Sequence, residues 1–373
     1  MAHQNLATKY SKAVDERFYR ESQAMMALNN DYKFTGAQTV AVYSLPVVPM
    51  NDYQRTGANR YGDPDDLSTN VQNLTVKRDR AFTFIIDRGD KIQSEMVQDA
   101  GKALSRQLRE VCVPEFDTYV FKTLAAAATA HGAYATTAVS KSNAYEKFLD
   151  GMEYLGNHNV PDKGRVCFCS YKFANLLKQD SAFMKYGDKS QEMLEKGVIG
   201  EVDGCRIVKV PATRLPAGAA FIITHPVAAT APKQLSDYKI HDNPPGISGW
   251  LVEGRLIYDC FVLNEKADAV FYHGSQPVLK NMIVTTTATD VGKSTIQVTA
   301  ELEGAQRYFA CGADSAALPG VTFGTAIKIS DWTAMTGSTE EIIPAGGDTV
   351  VRVVEVNGSG EPIACGDAIL NIG

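Results

Sequence analysis

Apolar and polar residues alternate over Gln38–Val48 and again over Val71–Asp87, where Leu74, Val76, Phe82, Phe84 and Ile86 take alternate positions. That period predicts strands. Between them Pro49–Leu67 (MNDYQRTGANRYGDPDDL in its body) is rich in Gly, Pro, Asn, Asp and Arg and has no period. A compact domain rarely carries an irregular tip of roughly twenty residues without a use for it. An ordinary surface loop is one reading. Two long strands leading in and out favour the other, an extended hairpin arm.

From Asp90 the period changes to that of a helix. Ile92, Met96, Ala100, Ala103, Leu104, Leu108 and Val111 recur at helical spacing, and Phe116, Val120 and Leu124 continue the stripe beyond Pro114. Asp87 or Asp90 is the expected N-cap. A kink or restart is expected at Pro114, with the proline at the first helical position. Through Ala128 the element would be about 55 Å long at 1.5 Å per residue. That suits a spine across a flat subunit better than a helix inside a small core.

Further on, helices are expected at Asn143–Asn157 and Tyr171–Lys178, the latter resuming at Ala182–Tyr186, and buried-type strands at Gly164–Ser170 and Ala219–Thr224. Gly197–Val210 reads as a hairpin turned by Asp203-Gly204. Leu235–Ile247 reads as turn-rich, and Gly249–Leu263 and Ala269–His273 as strands. The mixed order predicts an α+β body. From Pro277 the chain changes character. Thr, Val, Gly and Ala dominate, short strands are expected at Ile283–Thr287, Ser294–Ala300, Thr325–Ile329 and Val350–Val356, and Gly346-Gly347 and Asn357-Gly358 mark turns. A small all-β sandwich or barrel over 277–373 is expected. The N-terminal stretch Gln4–Asn30 has too thin an apolar stripe for its own core and reads as an arm packed on something else.

The net charge of −6 adds an asymmetry: residues 277–373 hold five basic and eleven acidic residues, whereas residues 1–276 hold 32 of each. Neither part has the charge of an ordinary nucleic-acid binder. No apolar run reaches the length of a membrane span, and Met1–Tyr10 lacks the apolar core of an export signal. Seven scattered cysteines suggest reduced thiols. Cys167 and Cys169 would share one face of a strand as buried thiols, because a zinc site would want a second such pair. No P-loop, dinucleotide fingerprint, metalloprotease motif or Gly-x-Ser-x-Gly occurs, the six histidines are not at ligand spacing, and Asp65-Asp66 and Glu340-Glu341 read as solvated turn acids. No catalytic residue, cofactor or metal is expected. Arg55, Arg60, Lys77, Arg78 and Arg80 make the arm and its exit strand locally basic. Solubility is one reading of them, and pairing with acidic surfaces of a neighbouring subunit the other.

This order of elements resembles the Hong Kong 97-type fold of tailed-bacteriophage major capsid proteins. Gly197–Ala229 (GVIGEVDGCRIVKVPATRLPAGAAFIITHPVAA) and Arg255–Gly274 (RLIYDCFVLNEKADAVFYHG) carry the likeness most, over about Met1–Gly274. The resemblance implies an N-terminal arm (1–37), an extended hairpin arm (38–87), a spine helix in a peripheral domain (88–140), an axial domain (141–248) and returning peripheral strands (249–276). The immunoglobulin-like C-terminal sandwich (277–373), outward-facing because of its acidity, is an addition to that plan. The implied function is self-assembly into pentamers and hexamers of an icosahedral shell in the virion, built in the host cytoplasm. Its implied partners are further copies, scaffolding and portal proteins, decoration proteins, and packaged double-stranded DNA as non-specific content. Lys77 lies in a strand rather than at the arm's tip, so the arm cross-linking of some relatives is not expected. A nanocompartment shell, another virion part such as a tail tube, and a carbohydrate-binding module are the alternatives.

Overall fold

VCFCS at Val166–Ser170 is buried at all five positions, which requires a sheet covered on both faces. The computed structural model shows that sheet. It describes residues 22–29, 32, 39–45, 47–48, 50–56, 60–62, 69–88, 100–180, 198–299, 304 and 306–372, with the backbone alone at 198, 199 and 233–235.

The arm comes first in the chain. β1 (Thr39–Ser44) pairs antiparallel with β2 (Asn70–Thr75), Ser44 opposite Asn70. β3 (Arg78–Asp87) does not continue this ladder, so the single strand expected over Val71–Asp87 is two. At Val76–Lys77 the chain changes partners. Val76 is buried against Leu74 and Leu263, and the next residues pair elsewhere.

The long helix follows. Its onset, with the expected cap at Asp90, lies outside the described residues. α1 (Ala100–Gln107) runs into a π turn at Leu108–Cys112 and on into α2 (Val113–Ala130). Pro114 sits in the first turn of α2, at its second residue rather than the expected first, because the helix already continues through Val113. Proline has no N–H for an α-helical bond, and the wider turn before it absorbs the mismatch. The apolar stripe of α2 is fully enclosed at Val120, Phe121 and Leu124.

The body is a six-stranded mixed sheet. In chain order its parts are β4 (Tyr134–Ala135), α3 (Ala144–Asn157), β5 (Val166–Ser170), α4 (Tyr171–Gln179), β6 (Val198–Val202), β7 (Cys205–Val210) and β8 (Ala219–Thr224). After β9 (Ala229–Thr230), β10 (Lys233–Asp242), β11 (Gly249–Tyr258) and β12 (Phe261–Val262), β13 (Val270–Gly274) completes it, in the order β4-β13-β8-β5-β7-β6. Ser170 caps α4, its hydroxyl accepting the Phe173 N–H at 3.2 Å. Asp203 and Gly204 have φ of 51° and 73°, the mirror-type turn expected there. Phe121 of α2 packs on Phe168 of β5 at 4.9 Å between ring centroids, which seats the long helix on the sheet.

The turn-rich reading of Leu235–Ile247 is corrected. Lys233–Asp242 is a full strand, β10, in the sheet β10-β11-β3. Its polar residues alternate with Tyr238 and Ile240, and only the inner face is covered, so the strand looks polar in the sequence. Likewise Gly249–Leu263 is interrupted at Asp259, whose buried carboxylate draws the backbone out of the ladder. The expected continuation of α4 at Ala182–Tyr186 lies outside the described residues.

Residues 280–369 form two facing sheets. β14 (Lys280–Asn281), β15 (Val284–Ala288), β16 (Ser294–Val298), β17 (Gln306–Gly312), β18 (Thr333–Met335), β19 (Thr339–Ile342), β20 (Val350–Val356) and β21 (Pro362–Ile369) make the orders β14-β21-β20-β17-β18 and β15-β16-β19. Ile296, Val298 and Ile342 of the small sheet close on Phe309, Val351 and Val353 of the large one. The strand expected at Thr325–Ile329 is absent. That stretch crosses the outer face of the large sheet, where Ile327 packs with Trp332, Val354 and Val356. The sandwich is seated on α2 through β14, and the Val278 N–H donates to Thr129 Oγ1 at 3.1 Å.

Candidate functional site

At its base the arm packs Val40, Val42 and Leu74 inward with Leu263, but towards its tip its apolar side chains point outward. Tyr43, Leu45 and Tyr61 are largely exposed, Val47 is 92% exposed and Met50 wholly so. Tyr53 and Tyr61 brace the tip edge-to-face at 5.0 Å, and the Gln54 N–H donates to the Arg60 carbonyl at 3.0 Å. Large apolar side chains gathered on one projection mark an interaction surface. Arg55 and Arg60 lie here, both exposed.

The other three nominated residues lie at the arm's root. Lys77 has an exposed side chain, and its backbone N–H donates to Asp259 Oδ2 at 3.0 Å. Arg78 is turned inward: its guanidinium donates to Glu115 Oε1 at 2.7 Å and to the Tyr258 hydroxyl at 3.0 Å, and lies over the Tyr119 ring at 4.6 Å. Arg80 donates to the same Glu115 oxygen at 2.8 Å. Asp259 accepts the Tyr119 hydroxyl at 2.7 Å and the Cys260 N–H at 2.8 Å. The structure therefore brings Lys77, Arg78 and Arg80 together on α2 and β11, and places Arg55 and Arg60 apart from them at the tip.

The electrostatics follow from enclosure. Burial alone would raise the Glu115 carboxyl, but hydrogen bonds from Arg78 and Arg80 outweigh it and hold that carboxyl below the usual range. Burial raises Asp259, against the hydrogen bonds from Tyr119, Lys77 and Cys260. Burial also pushes the Tyr258 phenol up to about 12. The root is thus a permanent ion pair beside a shielded carboxylate and two neutral tyrosines. That arrangement is suited to holding a strand, not to moving protons.

A second anchor holds the N-terminal segment. Asp117, wholly buried on α2, accepts Ser22 Oγ at 2.5 Å, the N–H groups of Gln23 and Ala24 at 3.2 and 3.3 Å, and the Arg214 guanidinium at 2.9 Å. The short 3-10 helix Ala24–Ala27 starts from this carboxylate. Asn29 then docks beside β9, donating its N–H to the Ala229 carbonyl at 2.9 Å. Apart from Tyr32, which packs against the cluster of Leu74, Val76 and Leu263, the rest of the predicted N-terminal arm lies outside the described residues.

All seven cysteines are free thiols. Cys167 and Cys169 are buried in β5 as expected, and burial pushes Cys169 up to about 12. Among the described residues no cluster of His, Cys, Asp and Glu could hold a metal ion, and no helix is long and apolar enough to cross a membrane.

No family model and no curated protein matches the sequence. Solved structures do match. One from Mycobacterium phage Che8 superposes with a TM-score of 0.55 at 20% identity, covering 67% of this chain and 89% of that one. The capsid of cyanophage P-SCSP1u (TM-score 0.51, 13% identity) covers 65% of this chain and 84% of that one. The mature capsid of bacteriophage PhiM1 (TM-score 0.51, 12% identity) covers the same shares. The chain has the fold of a phage capsid protein.

Of the contacts at the arm root, the sequence showed only half. The basic residues were visible in a run, Lys77 to Arg80. Their counterparts Glu115, Tyr119, Tyr258 and Asp259 come from distant segments and carry no local signal. Asp117 had one: it lies within the apolar stripe Val113, Phe116, Val120, Phe121, Leu124, where an acid is out of place unless it is partnered.

Proposed function

We propose that this chain is the shell-forming subunit of a tailed phage, a major capsid protein of the Hong Kong 97 type. The observation that carries the reading is the arm: a two-stranded projection with exposed Val47, Met50, Tyr53 and Tyr61, rooted in the body by Arg78, Arg80 and Glu115. A projection so greasy is costly to leave in water. A neighbouring copy covers it. The likeness to phage capsid structures supports the same reading.

On this reading the chain divides into an N-terminal arm (1–37), the hairpin arm (38–87), a spine helix (88–140), an axial part (141–248), return strands (249–276) and an outward C-terminal sandwich (277–373). Pentamers and hexamers form around the axial part, and Arg55 and Arg60 meet acidic groups of the next subunit. Arg78 and Arg80 act one step back, fixing the arm's direction. Scaffolding, portal and decoration proteins are the other partners. Packaged DNA is held without specificity, inside a virion assembled in the host cytoplasm. The role is structural and involves no reaction.

Negative-stain microscopy of purified protein tests this. Faceted shells are the expected product, and Met50→Asp with Tyr61→Asp reduces the protein to free capsomers or monomers with an unchanged circular dichroism spectrum. Discrete monomers of the unmodified chain under all assembly conditions would overturn the proposal.

A further inference from the structure

A cleft of about 560 Å³ opens between the arm root, α2, β12 and the first strand of the sandwich. That is the size of sites that enclose a ligand or a short peptide. Its floor is low, because Ala126, Ala127 and Ala130 on α2 let a chain lie close to the helix. Lys77 on one side and Lys280 on the other have exposed side chains, and His131 lies at the rim. Asp259 is the single carboxylate in the lining, and its oxygens already accept Tyr119, Lys77 and Cys260. The cleft thus presents cations, with amides from Asn73, Asn264 and Asn281, in a body whose overall charge is balanced.

We propose that this cleft docks an extended acidic segment of a protein partner. Charge complementarity selects an acidic occupant. The volume is too large for one inorganic anion, and an alanine floor flanked by side-chain amides suits a peptide backbone. One wall is the arm root and the opposite wall is the sandwich, so an occupant fixes the arm against the sandwich. The inference goes beyond shell formation and stands apart from it, since docking is measured on unassembled chains.

The test uses the full-length chain, shown unassembled by sedimentation, and fluorescein-labelled hexaglutamate read by anisotropy at low ionic strength. Saturable binding is expected, weakened about tenfold by Lys77→Gln with Lys280→Gln and eliminated by Ala127→Trp, which fills the floor. Bound peptide also slows amide exchange across Gln72–Thr75. Both lysines are surface residues, so the charge variants keep the fold. Three results overturn the proposal: no saturable binding, binding that survives both sets of substitutions, or displacement by inorganic phosphate or a DNA oligonucleotide more readily than by unlabelled hexaglutamate. Shell formation is scored separately by microscopy, so a failed cleft and a failed capsid reading give different results.

Discussion

Glu115→Gln removes one charge from the arm root and keeps the shape of the side chain. The loss divides unequally. Arg80 is 56% exposed, so its pair with Glu115 is screened and worth about 0.5 kcal/mol or less. Arg78 is more enclosed, at 23% exposure against 30% for Glu115, and its 2.7 Å charge-assisted bond is worth about 1–2 kcal/mol. The Tyr258 hydroxyl, 3.3 Å from Glu115, adds a few tenths. The expected total is about 2 kcal/mol, measured by urea denaturation of unassembled chains. Double-mutant cycles with Arg78→Met and Arg80→Met separate the two pairs. The pH dependence has a definite sign. Glu115 is held below its ordinary pKa in the folded state, so its contribution is present above the ordinary glutamate value of about 4.3 and is lost as pH falls through the folded value. Glu115→Gln should flatten that acid limb. A coupling of Arg80 with Glu115 equal to that of Arg78, or a neutral Glu115→Gln, would refute this account of the root.

Asp117→Ala strands the N–H groups of Gln23 and Ala24 beside Arg214 and should cost about 3 kcal/mol; hydrogen exchange should show those two amides losing protection, and unchanged protection contradicts the anchor. His273 is buried, with Nε2 at 2.8 Å from the Thr137 carbonyl, and burial lowers its pKa, against the Thr137 bond, with Lys147 lowering and Asp150 raising it further. The neutral ring is the folded form, so stability is lost as pH falls below the unfolded value of about 6.5, and His273→Phe should remove that slope from thermal melts recorded between about pH 5 and 7. Gly249 has φ +155°, and a Cβ there would lie 2.1 Å from the Ile86 carbonyl oxygen; Gly249→Ala should therefore cost about 2 kcal/mol or more by denaturant melt, whereas a neutral result would mean that β3 and β11 give way freely.

What could be read from the sequence follows from where the information lies. The helix over its described part, from Ala100 onward, and the Asp203-Gly204 turn depend on neighbours a few residues away, and these were read correctly. β10 was missed because its polar face is solvated. β17 and β21 were missed because Gln306–Gly312 and Pro362–Ile369 mix Cys, Gly, Ala and charged residues, and only the sandwich partner shows which face is inner. The split between β2 and β3 was hidden for the same reason: β11, the new partner, lies more than 160 residues further along. At the site, a run of cations was visible, but which of them turned inward was decided by Glu115 and Tyr258, brought close only by the fold.

That split has a mechanical consequence. The ladder of β1 with β2 and the ladder of β3 with β11 share no strand, so the projection meets the subunit at a two-residue joint, Val76–Lys77. Bending there requires no ladder bond to break. Resistance comes from a small apolar fulcrum, Leu74 and Val76 against Leu263, and from hydrogen bonds to the body by the Lys77 N–H on Asp259, the Gln72 amide with Val262 and Asn264, and the Ser44 hydroxyl on Glu265. Bending at the joint would exchange these side-chain contacts and leave both ladders intact. On the shell-forming reading proposed above, such a joint would let identical chains set their arms at slightly different angles in five-fold and six-fold rings.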